Sequence, residues 1–252
     1  MDIIFFIVIG GLWGSFANVC IYRLPINKNI ALGRSFCTNC KKKIAWFDNI
    51  PVLSYLILRS KCRNCKKKIS FQYFLVELLG ILNFTVIYLL FGITLTTILL
   101  IILSLAFLII FFIDLRHYII PNSITYPMMI LGFIKSFDPN LNSIFPNHIN
   151  SLIGGIFGYA MIWSIIYFYK QIKKKDGMGL GDAKLFAVIG FWFGWISIPF
   201  IIFLSSIIAL IYVLPDLLKN SKKMSSQIPF GPFIIIGTIF YLVFQDYFVQ
   251  LL

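Results

Sequence analysis

Two groups of residues have types and spacings that could do chemistry. The first is a pair of CxxC motifs, Cys37-Thr38-Asn39-Cys40 and Cys62-Arg63-Asn64-Cys65, with 21 residues between them. Two such knuckles supply four soft thiolates. That is the donor set of a tetrahedral structural zinc site, whose usual gap is about 15–20 residues. A lysine run follows each knuckle, Lys41–Lys43 and Lys66–Lys68, and offsets the negative charge of four thiolates. The second group is a pair of aspartates. The chain has only nine acidic residues, and most fall near an end or in a polar loop. Asp114 instead closes the apolar run Phe111-Phe112-Ile113, and Asp182 closes Gly177-Met178-Gly179-Leu180-Gly181 and opens another apolar run. Two carboxylates that meet share a proton, one serving as base and the other as acid, which suits hydrolysis without a nucleophilic side chain. A Ser/His site is excluded in practice, because the only histidines are His117 and His148, and His148 is expected in an outer loop.

The elements that must position these groups are membrane helices. Of 252 residues, 60% are hydrophobic and 12% charged, and mean hydropathy is +0.91. A soluble domain carries about 25% charged residues, and disorder needs low hydrophobicity. Spans of about 20 apolar residues are expected at Ile3–Tyr22, Tyr73–Phe91, Thr94–Ile113, Ile119–Ile134, Ile149–Tyr169, Asp182–Ile196, Ser197–Leu217 and Phe230–Val249. The fourth and sixth are short. The sixth and seventh are separated only by Gly194 and Pro199, so seven spans is the alternative count. The first reads as a retained helix, since Met1-Asp2 offers no basic leader region, and Gly10, Gly14 and Asn18 recur on one face as a helix contact. Cys20, within that span, reads as a small buried apolar residue.

Basic residues set the orientation. Of 22 Lys and Arg, 12 lie between Arg23 and Lys68, and further groups fall at Lys170–Lys175 and at Lys219, Lys222 and Lys223. With eight spans all but Lys135 share one side, which the positive-inside rule makes cytoplasmic. The net charge of +13 is therefore topogenic, and no nucleic-acid partner is expected. The cysteine module then lies in a reducing compartment, against disulfides, and its lysines read as solvating and topogenic, with a membrane-surface contact as the alternative. Asp114 and Asp182 fall at one depth, the cytoplasmic membrane edge. The plainer reading pairs them with Arg116 and Lys184. Glu77, the single glutamate, sits just inside the second span, where a helix N-terminus favours an anion.

Gly14-Ser15-Phe16-Ala17-Asn18-Val19, Tyr22-Arg23-Leu24-Pro25, the two CxxC pairs, Pro51-Val52-Leu53-Ser54-Tyr55 and the GxGD at Gly179–Asp182 resemble bacterial type IV prepilin peptidases, and they stand in that family's order. The resemblance implies a bifunctional, multi-pass enzyme of the bacterial inner membrane. Such an enzyme removes the basic leader of prepilins and pseudopilins and N-methylates the exposed residue with S-adenosylmethionine. It places the catalytic aspartates at Asp114 and Asp182, with Gly179 and Gly181 as the supporting loop. The chain departs from the family at Ile120-Pro121-Asn122, where many members have Leu-Pro-Asp, and at Gln72-Tyr73-Phe74, where members often have Arg-Tyr-Pro.

The expected architecture is an all-α polytopic membrane protein of about eight helices. Residues 1–22 form the first helix. Residues 23–72 form a cytoplasmic zinc-type module held by Cys37, Cys40, Cys62 and Cys65, which the resemblance makes the methyltransferase region. Residues 73–252 form the bundle with the peptidase site. The rival readings are a peptidase without methyltransferase activity, a proton-coupled transporter relaying through Asp114 and Asp182, and a non-catalytic assembly factor.

Overall fold

The computed structural model describes residues 2–31, 33–141, 144–174, 178–218 and 228–250. Met1, Lys175, Gly177, Lys219, Lys222 and Lys223, named above, lie outside them. The chain is helical and divides into two compact units, Met1–Ile109 and Ile110–Leu252.

In the first unit α1 (Asp2–Arg23) packs along α3 (Phe71–Phe91). The contact is a backbone approach that small residues permit. A Cβ at Gly10 would stand 2.8 Å from the Gly80 carbonyl oxygen, and one at Gly14 would stand 2.8 Å from the Glu77 Cα. Asn18 extends the same face by donating from Nδ2 to the Tyr73 carbonyl at 3.0 Å. Cys20 is buried in α1.

Between these helices the chain makes the short helix α2 (Leu53–Ile57) and two near-identical turns around the cysteines. The Cys37 N–H donates to the Lys42 carbonyl and the Lys41 N–H to the Cys37 carbonyl. The Cys62 N–H donates to Lys67 and the Lys66 N–H to Cys62, all at 2.9–3.0 Å. Antiparallel bridges Phe36–Lys43 and Lys61–Lys68 close the two turns. Lys41 and Lys66 are both left-handed, at φ 59° and 57°. The first lysine of each run thus turns the chain back over its knuckle.

Helix α4 (Leu95–His117) runs across the division. The second unit continues with α5 (Asn122–Lys135), α6 (His148–Lys173), α7 (Leu180–Phe193), α8 (Ser197–Leu218) and α9 (Gly231–Gln250). Its centre is α7, which touches α5, α6, α8 and α9. Leu185, Phe186, Val188, Ile189 and Trp192 are fully buried there. Helices α6 and α7 cross with backbones in contact, for a Cβ at Gly154 would stand 2.4 Å from the Gly190 carbonyl oxygen. Trp192 Nε1 ties α7 to α5 through the Met128 carbonyl at 2.8 Å.

Among the described residues five helices, α1, α3, α4, α6 and α8, are long and apolar enough to cross a membrane. Helix α9 is apolar over Gly231–Gln245. Helices α5 and α7, each 14 residues, reach about 21 Å against a hydrocarbon core of about 30 Å. Each expected span thus has an apolar helix, including the weakly marked pair at Gly194, where the chain breaks at φ 81°. Lys135, expected as a loop residue, is 5% exposed. Its Nζ donates to the Trp192 carbonyl at 3.2 Å and lies 3.9 Å from the centre of the Phe145 ring. A cation at the last carbonyls of α7 meets the negative end of the helix dipole.

Candidate active site and metal centre

Asp114 lies in the last turn of α4. Tyr118, left-handed at φ 56°, stops the helix there and donates its N–H to the Asp114 carbonyl at 2.9 Å. The Asp114 side chain is 5% exposed, and its Oδ2 accepts the Gly231 N–H at 2.9 Å. That N–H belongs to the first residue of α9, one of the donors a helix start leaves unpaired. Asp182 stands in the first turn of α7 and is 8% exposed. Ile120, six residues past Asp114, packs on Gly181, the residue before Asp182, which brings the two carboxylates to the same corner of the second unit. The end of α4, the start of α7 and the start of α9 thus meet at one end of the second unit.

The pairing of each aspartate with a neighbouring cation is not what the structure has. Lys184 Nζ donates to Asn122 Oδ1 at 2.7 Å and lies over the Tyr126 ring. Asn122 thus accepts from Lys184 at the position where many family members carry aspartate. Among the described residues the one ion pair is Arg63–Asp48. The glycines before Asp182 form the start of α7. Gly179 is the N-cap, with ordinary extended backbone at φ −82°, and Gly181 is already helical. A Cβ at Gly181 would stand 3.0 Å from the Ile120 Cβ, whereas one at Gly179 would meet nothing closer than 3.8 Å.

Gly231 escaped the sequence reading. A Cβ there would stand 2.8 Å from Asp114 Oδ2, so a side chain at this position would displace the carboxylate from the N–H. The available signal was Gly231-Pro232, since proline favours the first turn of a helix. Nothing in the sequence says which helix start would face Asp114.

In the first unit the sulfurs of Cys37, Cys40, Cys62 and Cys65 lie within 4.8 Å of one another, a group that could hold a metal ion. Cys37 and Cys65 Sγ are 3.9 Å apart, and all four are free thiols. Arg63 grips Asp48 with two hydrogen bonds, Nε to Oδ2 at 2.7 Å and Nη2 to Oδ1 at 2.6 Å. The second knuckle is thereby tied to the turn Trp46–Asn49.

Glu77 is more than a helix-start anion. Its Oε2 accepts the Val52 N–H at 2.7 Å. Val52 sits at φ 63°, ψ −51°. A β-branched residue there is strained by on the order of 1–3 kcal/mol, which the surrounding contacts must over-determine. Glu77 lines a cavity of about 490 Å³ within the first unit, together with residues of α1, α3 and the cysteine module.

Against known proteins, the Bacterial Peptidase A24 N-terminal domain family matches residues 8–91, and the Type IV leader peptidase family matches residues 100–214. The chain belongs to the type IV leader peptidase family. Among its relatives is a prepilin leader peptidase/N-methyltransferase of Vibrio cholerae, 38% identical over 246 residues that cover 94% of both chains. Relatives of the same name in Aeromonas salmonicida and Pseudomonas aeruginosa are each 32% identical, covering 92% and 95% of this chain and 87% and 89% of theirs. No solved structure matches. Membership and the long apolar helices make this family member a multi-pass membrane protein.

Proposed function

We propose that the chain cleaves the basic leader from type IV prepilins and pseudopilins and then N-methylates the new N-terminus. The observation that carries this reading is the buried pair Asp114–Asp182 in a chain of this family. One carboxylate takes a proton from water as its oxygen attacks the scissile carbonyl. The other gives its proton to the leaving nitrogen, so water divides between the new acid and the new amine. The Gly231 N–H fixes Asp114 through Oδ2, leaving Oδ1 for the proton traffic. The bacterial inner membrane is the compartment. A substrate with its leader in the cytoplasm and its apolar helix in the bilayer presents the bond at the cytoplasmic edge, where the basic loops lie. The site at helix ends gives no support to a transporter relay, which belongs near the midplane.

Residues 1–22 serve as the first membrane helix and 73–252 as the bundle with the peptidase site. Residues 23–72 act as a zinc-held module on which methyl transfer is centred, with S-adenosylmethionine as the donor. Zinc fits the four sulfurs. A tetrahedral ion with Zn–S bonds of about 2.3 Å spaces its thiolates about 3.8 Å apart, close to the 3.9 Å between Cys37 and Cys65. A disulfide needs about 2.05 Å. The ion would hold the two turns together. Trp46, Leu56 and Ile57 are strongly exposed in the module that also carries the lysine runs, a composition suited to lipid headgroups.

The test is mass spectrometry of prepilins incubated with detergent-purified protein. Loss of the leader, followed by the added mass of one methyl group, is expected. Asp114→Asn and Asp182→Asn should each slow cleavage by roughly a thousandfold at unchanged protein level. Near wild-type cleavage by either variant would remove that residue from the site.

A further inference from the structure

The cavity of the first unit has no part in the proteolysis derived above. Its volume, about 490 Å³, falls in the range of small-molecule sites, about 300–1,000 Å³. Its lining combines three kinds of group. Ser15 and Asn18 of α1 and Glu77 of α3 are polar or charged, on helices otherwise read as membrane spans. Tyr22, Tyr55 and Tyr73 offer flat aromatic surface. Lys and Arg side chains of the cysteine module add positive charge. A carboxylate in such a place is expensive and by default functional. Glu77 is also held: one oxygen accepts the Val52 N–H, and Val52 takes up a strained, positive-φ backbone at that contact. A carboxylate has about four lone-pair sites, so acceptor capacity remains.

N-methylation of an amine needs such a group. An α-amino group titrates at about 7.7–8.0, so at neutral pH it arrives largely as the ammonium ion. It must lose a proton before its lone pair can attack. The other reactant carries an adenine ring, which stacks on aromatic side chains, and a carboxylate, which suits Lys and Arg.

We propose that this cavity is the methyl-transfer site, in which Glu77 takes the proton of the substrate's new N-terminal amine while S-adenosylmethionine lies beside it. The inference rests on the methyltransferase reading given above. The amine N–H bond breaks and its proton passes to the Glu77 carboxylate. A nitrogen–carbon bond forms to the methyl group. The sulfur–carbon bond breaks with its electron pair left on sulfur, so the donor leaves as the neutral thioether S-adenosylhomocysteine.

Two substitutions separate charge from space. Glu77→Gln keeps an amide oxygen for the Val52 N–H and removes the base. Val19→Trp fills the cavity from α1 and leaves Glu77 intact. Methylation is measured on a synthetic pre-cleaved peptide with a free N-terminal phenylalanine, so that peptidase activity plays no part. Binding of S-adenosylhomocysteine is measured by calorimetry, and leader cleavage is measured on the same samples. The expected result is a methylation rate at least about a hundredfold lower for Glu77→Gln, with binding within about threefold of wild type. Val19→Trp should bind the thioether at least tenfold more weakly. Both variants should cleave leaders as wild type does. Wild-type methylation by Glu77→Gln, or undiminished binding by Val19→Trp, overturns the assignment. Absence of methylation in the wild type itself overturns the methyltransferase reading instead. Should Glu77→Gln also lose cleavage through misfolding, the binding result with Val19→Trp decides.

Discussion

A carboxylate proposed to act as acid or base has to be held where its second oxygen can exchange a proton, and the group that holds Asp114 is a backbone N–H. Gly231 supplies it at 2.9 Å, and a Cβ there would fall 2.8 Å from the same oxygen. Gly231→Ala should therefore push the Asp114 side chain aside without unfolding α9. A misplacement of about 1 Å costs on the order of a hundredfold in rate. The expected outcome is a fall of that size in kcat for leader cleavage with Tm nearly unchanged. Gly179→Ala is the control from the GxGD loop. Its Cβ meets nothing closer than 3.8 Å, so kcat should stay within a few-fold of wild type. Equal losses from the two substitutions would show that helix-start rigidity, rather than the hydrogen bond to Asp114, limits the rate.

The cysteine module is an element whose stability comes from few contacts. Fifty residues cannot build a strong apolar core and need a staple. Two matched turns bring four sulfurs together, and the Arg63–Asp48 pair ties one turn to the intervening chain. Cys37→Ser should release the metal, because three thiolates hold it far less well than four. Elemental analysis of purified samples checks this, and methylation should fall further than cleavage, since the aspartates sit on helices packed without that metal. A wild type free of metal, or a variant that methylates but no longer cleaves, would sink this division of labour. The Arg63 guanidinium hydrogen-bonded to Asp48 holds that carboxyl below the usual carboxylate range. The sign follows: the pair's contribution is full above the ordinary aspartate range and is lost as pH falls through the lowered value. Acid should therefore loosen the module in wild type. Asp48→Asn, measured by proteolysis of the loop against pH, should lose that acid step and show the looser module already at neutral pH.

For the molecule as a whole the testable quantity is topology. Residues 23–72, 170–181 and 218–229 carry the basic groups and are expected on the cytoplasmic face, with 140–145 on the other. Single cysteines introduced at these places and labelled in intact cells with a membrane-impermeant reagent check it. Labelling of 140–145 only after the cytoplasm is opened would overturn the eight-span arrangement and with it the cytoplasmic position of the aspartates. Lys135, the one basic residue assigned to the outer side, does not bear on the count. It is buried against Trp192 and Phe145 and serves packing.

How much of this was legible in the sequence follows from the range of the forces involved. Apolar runs, their lengths and the skew of Lys and Arg are local, so the helices and their expected orientation could be read directly, as could the four cysteines, whose spacing is itself the motif. The aspartates could be picked out because a carboxylate at the end of an apolar run is rare. What they touch could not. Gly231 lies 117 residues from Asp114, and only the packing of α4, α7 and α9 makes it a neighbour. Lys184 has Asp182 two residues away in sequence, yet the structure gives it Asn122 as its partner. Glu77 stands in the sequence as a helix-start anion, and only the fold brings the Val52 N–H, 25 residues earlier, to its carboxylate. Side-chain type and spacing set which groups are available for chemistry. Which of them share a hydrogen bond, a charge or a cavity is decided by tertiary packing, because those interactions act over a few ångströms of space, whatever the separation along the chain.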